Sequence, residues 1–94
     1  MATTFIAEAY TPSGTSVAEL EARARLAADE LARAGRRIRY LHSIFVPEDE
    51  TCFHLFEAGS ADAVREAIER ASLGPHRIVV ATTPSASDQG RESR

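Results

Sequence analysis

Polar and apolar positions alternate from Thr3 to Ala9, with Phe5, Ala7 and Ala9 on one side and Thr4, Ile6 and Glu8 on the other. Period-two alternation of this kind predicts a short, half-buried strand. Thr11-Pro-Ser-Gly14 breaks it, and the period then changes. Val17, Leu20, Ala24, Ala27, Ala28 and Leu31 recur at helical spacing, one apolar stripe of an amphipathic helix. Ser16 with Glu19 three residues on forms a capping-box start, and Gly35 supplies the stop. The polar side carries Glu19–Arg23, Glu21–Arg25 and Asp29–Arg33, acid-before-base pairs at i,i+4.

Ile38 to Val46 reads as a second strand, Pro47-Glu-Asp-Glu50 as a solvated turn and Thr51 to Ala58 as a third strand. Together they form a hairpin with a loop of about four residues. Ser60 caps a second helix running to about Ser72, with Val64, Ala67, Ile68 and Ala71 inward and Glu66–Arg70 outward. Leu73-Gly-Pro75 stops it, and Arg77 to Ala81 is a last strand. The order β-α-β-β-α-β with right-handed crossovers predicts an α+β, ferredoxin-like βαββαβ sandwich of strand order 4-1-3-2, both helices on one face. The folding domain spans residues 1–81. A polar tail at 82–94 has too few apolar residues to bury and is expected to be disordered.

The central strands are apolar on both sides. With regular alternation, Ile38, Tyr40, Ile44 and Val46 oppose Leu41 and Phe45, while Phe53 and Leu55 oppose Cys52 and Phe56. Two helices cover one face, and a bare second face is a large patch for a soluble monomer. A two-fold copy packing sheet against sheet covers it, so a homodimer is expected.

Bulk properties narrow the partners. A net charge of −3, from 11 basic and 14 acidic residues, leaves no electrostatic footprint for nucleic acid or an anionic membrane. No apolar run approaches the roughly 20 residues of a membrane helix, and Glu8 arrives too early for a secretory leader. A lone cysteine, Cys52, forms no internal disulfide. A cytoplasmic location is the expectation.

Polar residues within the strands are few: Glu8, His42, Ser43, His54 and Glu57, with phenols at Tyr10 and Tyr40. If Val46 faces Thr51, His42 lies opposite Leu55 and Tyr40 opposite Glu57. Glu8 joins them from the first strand, and Tyr40 lines the same site as a ligand-binding phenol. Slipped by one residue, His42 shares a face with His54 and Cys52 instead. The first register needs no bulge. A histidine with two carboxylates suits nickel or zinc, and His with Cys suits zinc, nickel or copper. The competing bland reading pairs Glu8 and Glu57 with arginines such as Arg39. No CxxC, HExxH or calcium-loop spacing is present. No nucleophile or cofactor fingerprint marks an enzyme. A His42–Glu57 acid–base pair in a closed cavity nonetheless keeps a cofactor-free monooxygenase or isomerase as an alternative, with a plain interaction module as a third reading.

Phe5-Ile-Ala-Glu8, the stretch Tyr40 to Ala58 and Ala61-Asp-Ala-Val-Arg-Glu66 resemble a family of small bacterial proteins. It is a domain-of-unknown-function family that includes nickel-binding proteins, and the resemblance covers about residues 4 to 81. It implies a dimer of the α+β barrel type and a nickel or other divalent transition-metal ion. An acid at the end of the first strand, a His-Ser pair and an aromatic-Glu-Ala ending correspond to Glu8, His42-Ser43 and Phe56-Glu57-Ala58. Many relatives carry Cys where this chain has His54, which implies a small buried or soft-ligand site that here has become His. The resulting expected ligand set is Glu8, His42, His54 and Glu57.

Overall fold

The computed structural model describes residues 2–74 and 76–82; the tail expected at 82–94 lies, from Thr83 on, outside the described residues. Its elements are β1 (Thr3–Tyr10), α1 (Val17–Arg33), β2 (Ile38–Val46), β3 (Thr51–Ala58), α2 (Ala61–Arg70) and β4 (His76–Ala81). The sheet order is β2-β3-β1-β4, with every neighbouring pair antiparallel. This is the ferredoxin-like arrangement that the alternating periods predict.

Local chemistry sets the boundaries. Ser16 Oγ accepts from the Glu19 N–H at 3.3 Å, and Ser60 Oγ accepts from the Ala63 N–H at 3.3 Å. Each bond satisfies a donor that a helix start leaves open. Gly35, at φ +97°, follows the end of α1 in the left-handed region. The second helix ends at Arg70, two residues earlier than its apolar pattern suggests, because Ser72 turns left-handed at φ 56°. Between β2 and β3, Pro47–Asp49 forms one 3₁₀ turn, and Glu50 closes it at φ 49°.

The core is a single cluster on the helix side of the sheet. Phe5, Ala7, Tyr40 and Phe56 meet Leu20, Ala24, Ala28 and Leu31 of α1 and Val64, Ala67 and Ile68 of α2. Tyr40 packs edge-on to Phe56 at 5.4 Å between centroids, a favoured aromatic geometry. The small residues Ala24, Ala27 and Ala28 let α1 lie close on the strands.

One feature of β2 departs from regular alternation. Val46 pairs with Thr51 and His42 with Leu55, as the bulge-free register requires, but Tyr40 pairs with Phe56 and Arg39 with Glu57. Leu41 is an extra residue, a β-bulge between Tyr40 and His42. Ile38 and Tyr40 therefore face the helices while Ile44 and Val46 face outward, correcting the expectation that all four share a side. The placement of Tyr40 opposite Glu57 is corrected for the same reason.

Candidate functional site

The bulge brings together side chains that a regular strand keeps apart. Residues three apart on a strand face opposite ways; the extra residue puts Tyr40 and Ser43 on one side. The Tyr40 hydroxyl lies 2.6 Å from Ser43 Oγ. Ser43 is in turn directly across from His54 on β3, and its Oγ lies 2.7 Å from His54 Nδ1. Cys52 shares that face two residues earlier, its Sγ 3.9 Å from the same nitrogen. A continuous polar chain, phenol to hydroxyl to imidazole with a thiol alongside, thus runs beneath α1 in an otherwise apolar core.

Electrostatics follow from burial. His54 is fully buried, and desolvation pushes its pKa from the ordinary 6.5 down to about 4, partly opposed by the Glu21 charge. The imidazole is therefore neutral at physiological pH. Burial, then the Glu21 charge, raises the Cys52 thiol, and the Ser43 hydrogen bond lowers it. Burial likewise raises the Tyr40 phenol, the Ser43 hydrogen bond opposing it. Arg25 of α1 lies over the Tyr40 ring, 5.0 Å from its centroid. Among the described residues, His54 Nε2 is fully buried and has no hydrogen-bond partner. A buried nitrogen left unpaired costs about 1–3 kcal/mol, so it stands out in a core otherwise satisfied.

The expected ligands divide between the two faces. His54 and Tyr40 lie inside; Glu8, His42 and Glu57 lie on the open face, His42 exposed. Glu8 is held by Arg77, whose Nη2 donates to Oε1 and Oε2 at 3.2 and 3.1 Å. Arg39 Nη2 donates to Glu57 Oε1 at 2.7 Å within the chain. Among the described residues, no three His, Cys, Asp or Glu side chains stand close enough to hold a metal ion as a group. The four-residue ligand set is thus not assembled within one chain. The residues the sequence left out of the site are Ser43, Glu21 and Arg25. Ser43 is invisible without the bulge, whereas Glu21 lies three residues before Ala24 and so falls on the buried helical stripe.

A bound divalent ion would suit part of this arrangement. Neutral imidazole and thiolate are ligands that nickel and zinc accept, and a ligating histidine ordinarily has its other ring nitrogen held by a hydrogen bond. His54 offers both, Nδ1 held by Ser43 and Nε2 open.

The comparisons with known proteins agree in fold and kinship. The crystal structure of SCO4226 from Streptomyces coelicolor A3(2) superimposes with a TM-score of 0.66 at 22% identity, covering 87% of this chain and 99% of that one. Among curated proteins none matches. The family described as nickel responsive protein SCO4226-like matches residues 5–80, and the chain belongs to that family.

Proposed function

We propose that this protein is a small cytoplasmic metal-binding protein, nickel its ion, acting as a homodimer. The observation that carries the reading is His54: a neutral, fully buried imidazole whose Nε2 is unpaired among the described residues, with the Cys52 thiol on the Nδ1 side of the ring. Ser43 and Tyr40 would orient the ring through Nδ1 and leave Nε2 as the nitrogen ligand, whereas the Cys52 Sγ lies on the Nδ1 side and would join the ion through a rotation of the ring or the thiol. Nickel bound there would take lone pairs from nitrogen and sulfur, and its charge would hold the thiol deprotonated. Membership of a nickel responsive family supports the choice of ion. Among the described helices none is long and apolar enough to cross a membrane.

The open sheet face supports the dimer. Ile6, Phe53, Leu55, Ile44 and Val79 lie on the side away from the helices, and Ile44 is 50% exposed. The Glu8–Arg77 and Arg39–Glu57 pairs lie on the same face as this apolar patch, and that mixture suits a second copy better than solvent. A second ligand reading has its own observation: His42 is exposed on this face beside Leu55. Two copies would bring a pair of such histidines, with Glu8 and Glu57, into one inter-sheet cavity. The enzyme reading has less support, because among the described residues no carboxylate hydrogen-bonds His54 to complete a nucleophile–base–acid relay with Ser43.

Calorimetric titration of tag-free protein with nickel tests the assignment. Binding by the wild type, lost in His54→Ala and Cys52→Ser but kept in His42→Ala, is the expected result. Loss confined to His42→Ala would move the site to the open face, and no binding by the wild type would end the metal reading.

A further inference from the structure

A cleft that shares no residue with the inner site opens where the segment between β1 and α1 meets the turn after α2. Its volume is about 310 Å³, within the range of roughly 300–1,000 Å³ for small-molecule sites. The floor is formed by buried residues: Leu20 in the first turn of α1, Leu73 after α2, and Thr11 at the end of β1. Tyr10 stands at the rim, 56% exposed. An aromatic ring left uncovered beside an apolar floor is a surface for a second apolar group to lie against.

The walls are fixed without any occupant. The Thr11 N–H donates to the Glu50 carbonyl at 2.8 Å, and the Ser13 N–H donates to Glu50 Oε2 at 3.2 Å. Within the same segment Thr15 Oγ1 donates to the Pro12 carbonyl at 2.6 Å. On the opposite wall Ser72 is left-handed at φ 56°, and its carbonyl accepts from Arg23 Nη2 at 3.3 Å. A cleft already held in shape loses less freedom when it is filled.

Charge decides the kind of occupant. Among the described residues that line the cleft, Arg23 is the only ionic one. Its contact with Glu19, outside the lining, is 4.0 Å long, and the Ser72 carbonyl takes one of five guanidinium donors. The remaining fork has the geometry that a carboxylate fits. The neighbouring cleft between α1 and α2 differs, because there Arg70 is matched by Glu30 at 3.6 Å.

We propose that the cleft binds a small organic anion, a carboxylate on an apolar body, with Arg23 as its cation and Tyr10 as the face the body lies against. The proposal is independent of the metal reading, since none of Tyr40, Ser43, Cys52 and His54 lines the cleft.

The test titrates the full tag-free chain, labelled with ¹⁵N, with phenylacetate and separately with neutral phenylacetamide, following backbone amide shifts. Saturable shifts centred on residues 11–15 and 72–74 are expected with phenylacetate. Phenylacetamide should bind at least about 10-fold more weakly, the scale of one hydrogen bond to a charged group. Arg23→Gln should weaken phenylacetate by a similar factor while Arg23→Lys keeps part of the affinity, and Arg70→Gln should bind as the wild type does. Arg23 is exposed, so Arg23→Gln is expected to retain the wild-type melting temperature. Equal affinity for acid and amide, undiminished binding in Arg23→Gln, or shifts centred on the open sheet face or on Arg70 would overturn the assignment. So would the absence of saturable shifts.

Discussion

His54 has a stability signature that can be measured without any metal. Burial lowers its pKa from the ordinary 6.5 to about 4. Above pH 6.5 neither the folded nor the unfolded chain protonates it, so it leaves stability flat. Between pH 6.5 and 4 the unfolded chain takes up a proton that the folded chain refuses, and stability falls as pH falls. Shifts of this size correspond to about 3 kcal/mol over that window. Denaturant unfolding of metal-free protein at pH 7 and pH 4.5 should show most of that loss, and His54→Gln should flatten it. A pH-independent wild type would mean that the imidazole is wetter than its burial implies. Ser43 offers a second check, since it bonds both Tyr40 and His54. Ser43→Ala strands two buried polar atoms and should cost about 1–3 kcal/mol, read as a lower denaturation midpoint with an unchanged slope. At this scale the sequence was only partly informative. It singled out His54 and Cys52 as polar or soft groups on an apolar strand. It did not reveal that Nε2 lacks a partner, because pairing depends on what the third dimension brings near.

Among the elements, most boundaries were legible because caps and turns are local chemistry. Ser16, Gly35, Pro47 and Ser60 act within a few residues of themselves. Ser60→Ala should destabilise the protein by about 1 kcal/mol, measured as a drop in melting temperature, because α2 is only ten residues long and carries Val64, Ala67 and Ile68 into the core. The bulge at Leu41 was not legible. Nothing in Arg39-Tyr-Leu-His42 marks an extra residue: no glycine is present, and all four suit a strand. The hairpin register near the loop was readable from Val46 and Thr51, and it held as far as His42. Beyond Leu41 every residue of β2 exchanged faces. A cluster inferred by counting therefore failed at Tyr40, which went inward to Ser43, while His42, Glu8 and Glu57 share only the open face. Helical period was the more reliable guide, and applied to Glu21 it would have flagged a carboxylate on a buried stripe.

At the level of the whole molecule, the chain buries one sheet face beneath its helices and leaves the other open, with apolar residues and ion pairs side by side. The dimer proposal makes a simple prediction. Sedimentation or light scattering should give the wild type twice the mass of one chain, and Ile44→Arg, at an outward position of β2, should give a folded monomer. A monomeric wild type would contradict it and leave the face for another partner. The proposed inner site and the proposed dimer face lie on opposite sides of one sheet, so Ile44→Arg should leave nickel affinity largely intact, whereas the open-face ligand reading requires affinity to vanish with the dimer. The central claim, that nickel sits between His54 and Cys52 under α1, is tested most directly by X-ray absorption at the nickel edge on the stoichiometric complex. One sulfur scatterer together with imidazole backscattering, the sulfur disappearing in Cys52→Ser, is the predicted spectrum; a shell of nitrogen and oxygen alone in the wild type would contradict it.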